Sequence, residues 1–139
     1  MTASIQTLTL ADARILIAAG EAKAKEIGVP YNIAVADAGG NLIAHVRMDG
    51  AWMGSIDISI SKAFSARAFD MSTDALSGAS QSGQSLFGIN TTNGGKIVVF
   101  GGGVPIKIGD AVVGAVGASG GSVANDIIVA EAAAAAFTG

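Results

Sequence analysis

The stretch from Asn32 to Met48, NIAVADAGGNLIAHVRM, decides how this chain folds. Two runs rich in strand-forming residues, Asn32 to Asp37 and Leu42 to Met48, flank Ala38-Gly39-Gly40-Asn41. A glycine pair between short runs of this kind signals a hairpin, because the turn needs positive φ. The second run alternates with period two, so Leu42, Ala44, Val46 and Met48 point one way and Ile43, His45, Arg47 and Asp49 the other. One side of the strand is core and the other is mostly polar.

Upstream, Thr9 and Asp12 mark a helix start, the hydroxyl capping free N–H groups and the acid facing the positive helix end. The spacing predicts a helix over Leu10 to Ile27 that buries Ala13, Leu16, Ile17, Ala24 and Ile27 and stops at Gly28 and Pro30. Downstream, Ser55 reads as the N-cap of a helix from Ile56 to about Met71, with Ile56, Ile60, Ala63, Phe64 and Met71 as its buried stripe. From Ser72 to Asn93 the chain is rich in Ser, Gly, Thr and Asn, an ordered excursion anchored by Leu76, Leu86, Phe87 and Ile89. Strands are expected over Lys96 to Phe100, Val104 to Ile108 and Ala111 to Ala118, with Gly101 to Gly103 as a tight crossing and Gly109-Asp110 as a turn. Ser119-Gly120-Gly121-Ser122 then leads into an alanine-rich helix, Val123 to Phe137, apolar around almost its whole circumference. Strands joined by tight turns pair antiparallel, so the expected fold class is α+β, one domain over 1–139, with a sheet of about five strands and helices packed on it.

Composition narrows the function classes. Of 139 residues, 50% are hydrophobic and only 14% charged, which leaves little polar surface for a free-standing subunit and predicts a homo-oligomer. No window holds about 20 uninterrupted apolar residues, so no membrane partner is expected. Met1 to Leu8 lacks the basic and apolar regions of a secretion signal, which makes cytoplasmic the expected location. There is no cysteine, so disulfides, thiolate catalysis and Cys-bound metal are excluded. A net charge of -3 with eight basic residues, nowhere clustered, argues against nucleic acid as a partner.

Several motifs then converge. Gly39-Gly40-Asn41-Leu42, Arg47-Met48-Asp49-Gly50-Ala51, Lys62-Ala63-Phe64-Ser65-Ala66, Gly101-Gly102-Gly103-Val104-Pro105-Ile106 and Val113-Gly114-Ala115-Val116-Gly117-Ala118-Ser119-Gly120-Gly121, followed by Asp126, resemble in order the GlcG/HbpS family, which includes the C-terminal domain of PduO-type proteins. The match runs from about Leu10 to the last helix. The resemblance implies a profilin-like or PAS-like sandwich, oligomeric, with small-ligand pockets; some relatives bind haem, and others have no settled activity.

The residues themselves leave three chemistries open. An imidazole, a guanidinium and a carboxylate on one strand face can bind an anionic small molecule through Arg47 while His45 or Asp49 moves a proton, although a polar strand face with an ordinary Arg–Asp pair has the same composition. Gly120, Gly121 and Ser122 precede a helix and so offer free N–H groups to an anion; Gly102 and Gly103 are weaker candidates, and neither run is a P-loop. Lys62 can neutralise an anion or form a Schiff base, or pair with an acid such as Asp57 or Asp49. His45 is the only histidine, which rules out a His-rich metal site in one subunit, yet haem iron needs a single axial ligand; His45, or the softer Met48 or Met53, can supply it. A metal held by Asp49 and Asp126 is a further option. The expected function is thus an oligomeric small-ligand-binding protein, an enzyme or binder acting on a small organic acid, with a haem-binding module and an accessory structural subunit as alternatives.

Overall fold

The computed structural model describes residues 1–139. In chain order its elements are α1 (Leu10–Ile27), β1 (Asn32–Asp37), β2 (Leu42–Arg47), α2 (Gly54–Phe69), α3 (Thr73–Ala79), β3 (Gly103–Ile108), β4 (Ala111–Ser119) and α4 (Val123–Ala135), with single 3-10 turns at Ile89–Thr91 and Asn93–Gly95. The strands form one antiparallel sheet in the order β2-β1-β4-β3. The first helix follows its sequence signals: Thr9 Oγ1 accepts the Asp12 N–H at 3.2 Å, Asp12 Oδ2 accepts the Thr9 N–H at 2.8 Å, and Gly28 closes the helix at φ +82°.

The sheet has four strands rather than five. Lys96 to Phe100 is irregular chain, because a helix side chain takes the backbone bonds a strand would make: Ser65 Oγ accepts the Val98 N–H at 2.9 Å and lies 3.3 Å from the Lys96 carbonyl. Ile97 is buried there, which holds the segment against the body.

The two faces of the sheet differ in kind. On one, α1 and α4 cover a conventional core in which Leu16, Ile17, Tyr31, Ile33, Val35, Val113, Val116, Val129 and Ala133 interlock. On the other, alternation turns Ala34, Ala36, Ala115 and Gly117 toward α2, with Gly103 opposite Gly117 on β3. These positions carry no side chain larger than a methyl, and Ser119 meets Ser55 near the start of the helix. A Cβ on Gly117 would collide with the Ser59 carbonyl oxygen and sit 2.7 Å from Ala63 N, so the helix rests on bare backbone.

That contact turns α2 about its axis from the expected orientation: Ala63 is buried as expected, together with Ser55, Ser59, Lys62 and Ala66 at helical spacing, whereas Ile56, Ile60 and Phe64 are half-buried and Met71 is exposed. Small residues fit the small sheet face, with half-buried Ile60 packed against Ala34, Ala36 and Ala63. The helix also starts earlier than expected, at Gly54 with no side-chain cap, because Ser55 is committed to Ser119, whose hydroxyl donates to it at 3.0 Å.

Two further expectations change. In the excursion, Leu76 is fully buried in α3, but Gln81 to Gly95 is exposed almost throughout, with Phe87 71% exposed, so Leu86, Phe87 and Ile89 do not anchor it within one chain. In β2, a register shift between Val35 and Ala36 breaks the alternation at its start: Ile43 joins Ala44 and Val46 against the core, while His45 and Arg47 stay on the α2 side opposite Ala34 and Asn32. Asp49 lies past the end of the strand, in a turn with Gly50.

Candidate functional site

The expected site residues fall into two groups, one around Lys62 and one on β2. The first surrounds Lys62. Helix α2 carries this lysine across β4 with no exposed surface, and its ammonium donates to Asp126 Oδ2 at 2.7 Å and to the Ala118 carbonyl at 3.0 Å. A lysine has three N–H bonds to place, and the Phe100 ring, its centroid 5.0 Å away, receives the remaining side of the cation. Asp126, in the first turn of α4, uses its other oxygen as an acceptor three times, from the Tyr31 hydroxyl at 2.8 Å and from the Gly120 and Gly121 N–H groups at 3.2 and 3.1 Å. Burial pushes the Lys62 ammonium below the ordinary lysine value, and Asp126 restores part of that drop. Burial also holds the Tyr31 phenol well above its usual range, reinforced by its bond to the Asp126 carboxylate.

The glycines around this network serve close approach. Gly102 has φ +123°, and a Cβ there would lie 2.6 Å from both the Ala118 carbonyl oxygen and Lys62 Nζ. Gly103 donates its N–H to Thr73 Oγ1 at 2.8 Å, and Ser122 caps α4 by accepting from Asn125 N–H at 3.1 Å. Lys62, Gly102, Gly120 and Gly121 therefore do come together. The carboxylate that meets the Gly120 and Gly121 amides is the chain's own Asp126, which is also the partner of Lys62 in place of Asp57 or Asp49.

The second group lies on β2, an edge strand, two strands from β4 and hence roughly 10 Å across the sheet. His45 is half-buried, and neither ring nitrogen has a hydrogen-bond partner; Nε2 is enclosed. Burial, with the neighbouring Arg47 cation second, lowers its pKa, so the neutral imidazole is favoured. Arg47 and Asp49 are exposed and line an open groove of about 390 Å³ together with Glu21 and Lys25 of α1 and Met48. None of these four charges forms an ion pair, so the ordinary Arg47–Asp49 pair is not made. Met48 is on the far side of the strand from His45, where its sulfur accepts the Tyr31 N–H at 3.4 Å; Met53 is exposed at the start of α2.

Asp49 and Asp126 occupy different places, one in a surface turn and the other buried against Lys62, and no three His, Asp or Glu side chains gather as metal ligands. Tyr31 and Asn32 did not stand out in the sequence. Both sit at the mouth of β1 after Pro30, and only the buried register with β4 gives them meaning. Asn32 is fully buried, donates Nδ2 to the Trp52 carbonyl at 2.9 Å, and has no partner for Oδ1.

Residues 8–135 match the family model described as haem degrading protein HbpS-like. The chain is 46% identical over 129 residues to an uncharacterized 15.0 kDa protein from the dhaT-dhaS intergenic region of Citrobacter freundii, covering 93% of this chain and 91% of that one. It is 35% identical over 131 residues to the corrinoid adenosyltransferase PduO of the same organism, covering 94% of this chain and 39% of that protein's length. Among solved structures, the Klebsiella pneumoniae protein ORFY superposes with a TM-score of 0.94 at 44% identity, covering 97% and 93% of the two chains. A PduOC–heme complex superposes at 0.90 and 34% identity, covering 94% and 95%.

Proposed function

This chain belongs to the HbpS-like family, which includes the PduO C-terminal domain, and from that premise we propose that it is a haem-binding protein with the His45 imidazole as axial iron ligand. The observation that carries the proposal is a half-buried imidazole with both nitrogens free of protein partners, on an edge strand. An iron ligand must offer an unprotonated nitrogen, and desolvation beside Arg47 keeps the ring in that form. When bound, haem supplies redox and ligand-binding chemistry that this side-chain set lacks. Arg47, two residues along the strand from His45 and exposed, can donate to a carboxylate at the porphyrin edge. The PduOC–heme complex supports the reading by likeness. Titration with hemin is the test: a shifted Soret band that is lost in His45→Ala is expected, and a band indifferent to that substitution removes the proposal.

The unpaired charges of the groove favour a second reading, in which a small organic acid binds there through Arg47 and Lys25, with Asp49 as proton carrier. Calorimetry with short hydroxy acids separates the two, since Arg47→Ala must abolish this binding. Either ligand is bound by a subunit that we take to assemble with copies of itself. Gln81 to Gly95 carries no charge and is exposed, and Trp52 and Met53 are 64% and 78% exposed, an apolar surface a lone subunit leaves in water.

A further inference from the structure

The chain contains two enclosed side-chain atoms without a hydrogen-bond partner, Asn32 Oδ1 and His45 Nε2. They are neighbours in the sheet. Asn32 is paired with Arg47 in the β1–β2 register, and His45 is two residues from Arg47 on the same side, so Asn32 and His45 are diagonal partners on the face that α2 covers. Diagonal pairs have Cα atoms about 7–8 Å apart, which leaves their polar ends within the span of one bridging water. A buried polar atom left without a partner is costly, so two such atoms on neighbouring residues of one sheet face are a reason for a shared partner.

The orientation of the Asn32 amide is fixed. Its Nδ2 must be the group that donates to the Trp52 carbonyl, so Oδ1 is the enclosed atom left without a partner, and it can only accept. We propose that Asn32 is a positioning residue for His45: through one bridging water, its side-chain oxygen holds the imidazole as the Nε2–H tautomer. The outer nitrogen, Nδ1, then carries the lone pair and is the atom offered to a ligand. A histidine ligand generally gives its second N–H to an acceptor that fixes ring and tautomer, and Asn32 fills that role here. The identity of the ligand rests on the haem reading above; the tautomer does not.

Because the chain has a single histidine, long-range proton–nitrogen NMR of the ligand-free protein reads the tautomer directly. The expected spectrum shows Nε2 protonated, with an exchange-protected proton and Nδ1 bare; the Nδ1–H tautomer, or an Nε2 proton exchanging at solvent rate, overturns the proposal. Asn32→Asp keeps the acceptor and adds a charge, so it must raise the His45 pKa in an NMR titration. Asn32→Ala must lose the protected proton and weaken hemin binding about 10- to 100-fold. If the His45 pKa is the same in Asn32→Asp as in the parent, the two residues do not communicate and the inference is wrong. Failure of the parent protein to bind hemin, with the tautomer as expected, overturns only the haem reading.

Discussion

Removing the charge of Asp126 while keeping its shape tests whether the network around Lys62 is a tightly coupled buried pair. In Asp126→Asn the amide oxygen still accepts from Tyr31 and the two glycine N–H groups, so what disappears is the anion 2.7 Å from Lys62 Nζ. With an effective dielectric constant of about 20, unit charges at that separation attract by about 6 kcal/mol. The orphaned lysine has an escape, however, because it can lose its proton. Deprotonating a lysine with an ordinary value of about 10.4 at pH 7 costs about 4.6 kcal/mol, which caps the damage. The expected loss is therefore about 3–5 kcal/mol at pH 7, and it should shrink by about 1.4 kcal/mol for each pH unit above that until the lysine is neutral in both states. Urea denaturation at pH 7, 8 and 9 measures it. Lys62→Met should cost less, because Asp126 keeps three donors, and the double variant should be less damaged than the two single losses added together. A loss below about 1 kcal/mol at pH 7, or one that does not change with pH, refutes the reasoning.

Gly117→Ala should be the most damaging methyl that can be added to the sheet, lowering stability by at least about 1–3 kcal/mol in thermal denaturation, since its Cβ meets backbone atoms of α2 that cannot turn away. Tyr31 gives an alkaline signature: its pKa is raised in the folded state, so the stabilisation is fully present below about pH 10 and is lost above it, as the unfolded chain releases a proton that the native one retains. Tyr31→Phe should remove that alkaline slope in denaturation curves collected from pH 8 to 11. Sedimentation of the intact protein at micromolar concentration should show an oligomer, and a monomer there contradicts the assembly proposed for the exposed Phe87 and Trp52 surfaces.

Elements governed by strong local signals were legible in the sequence. The capping box and terminal glycine of α1, the Gly39-Gly40 hairpin, the β3–β4 turn and the start of α4 each follow from residue types within a few positions of one another. The orientation of α2 was legible only in part: Ala63 is buried as read, but periodicity assumes that the larger apolar residues face inward, and here the receiving surface of Ala34, Ala36, Ala115 and Gly117 takes mostly small ones. Lys96 to Phe100 has the composition of a strand, but its partner is a serine thirty-three positions before Val98, which no local pattern reveals. The site shows the same division. Lys62 and the Gly120-Gly121 pair were visible as candidates, whereas their joining through Asp126, and the burial of Tyr31 and Asn32, depend on register between distant strands.

The bare contact between α2 and the sheet has a mechanical consequence. Interlocking side chains fix the axial position of a helix like teeth in a rack, but serines and alanines lying on glycine and alanine offer little resistance to sliding. The position of α2 is set instead by a few discrete pins: Ser55 on Ser119 near its start, Lys62 on Asp126 and Ala118 at its middle, and Ser65 on Val98 beyond. A plate held by pins moves as one piece when a pin is withdrawn. The stiffness of α2 against axial displacement is therefore concentrated at Ser55, Lys62 and Ser65 rather than spread along its length.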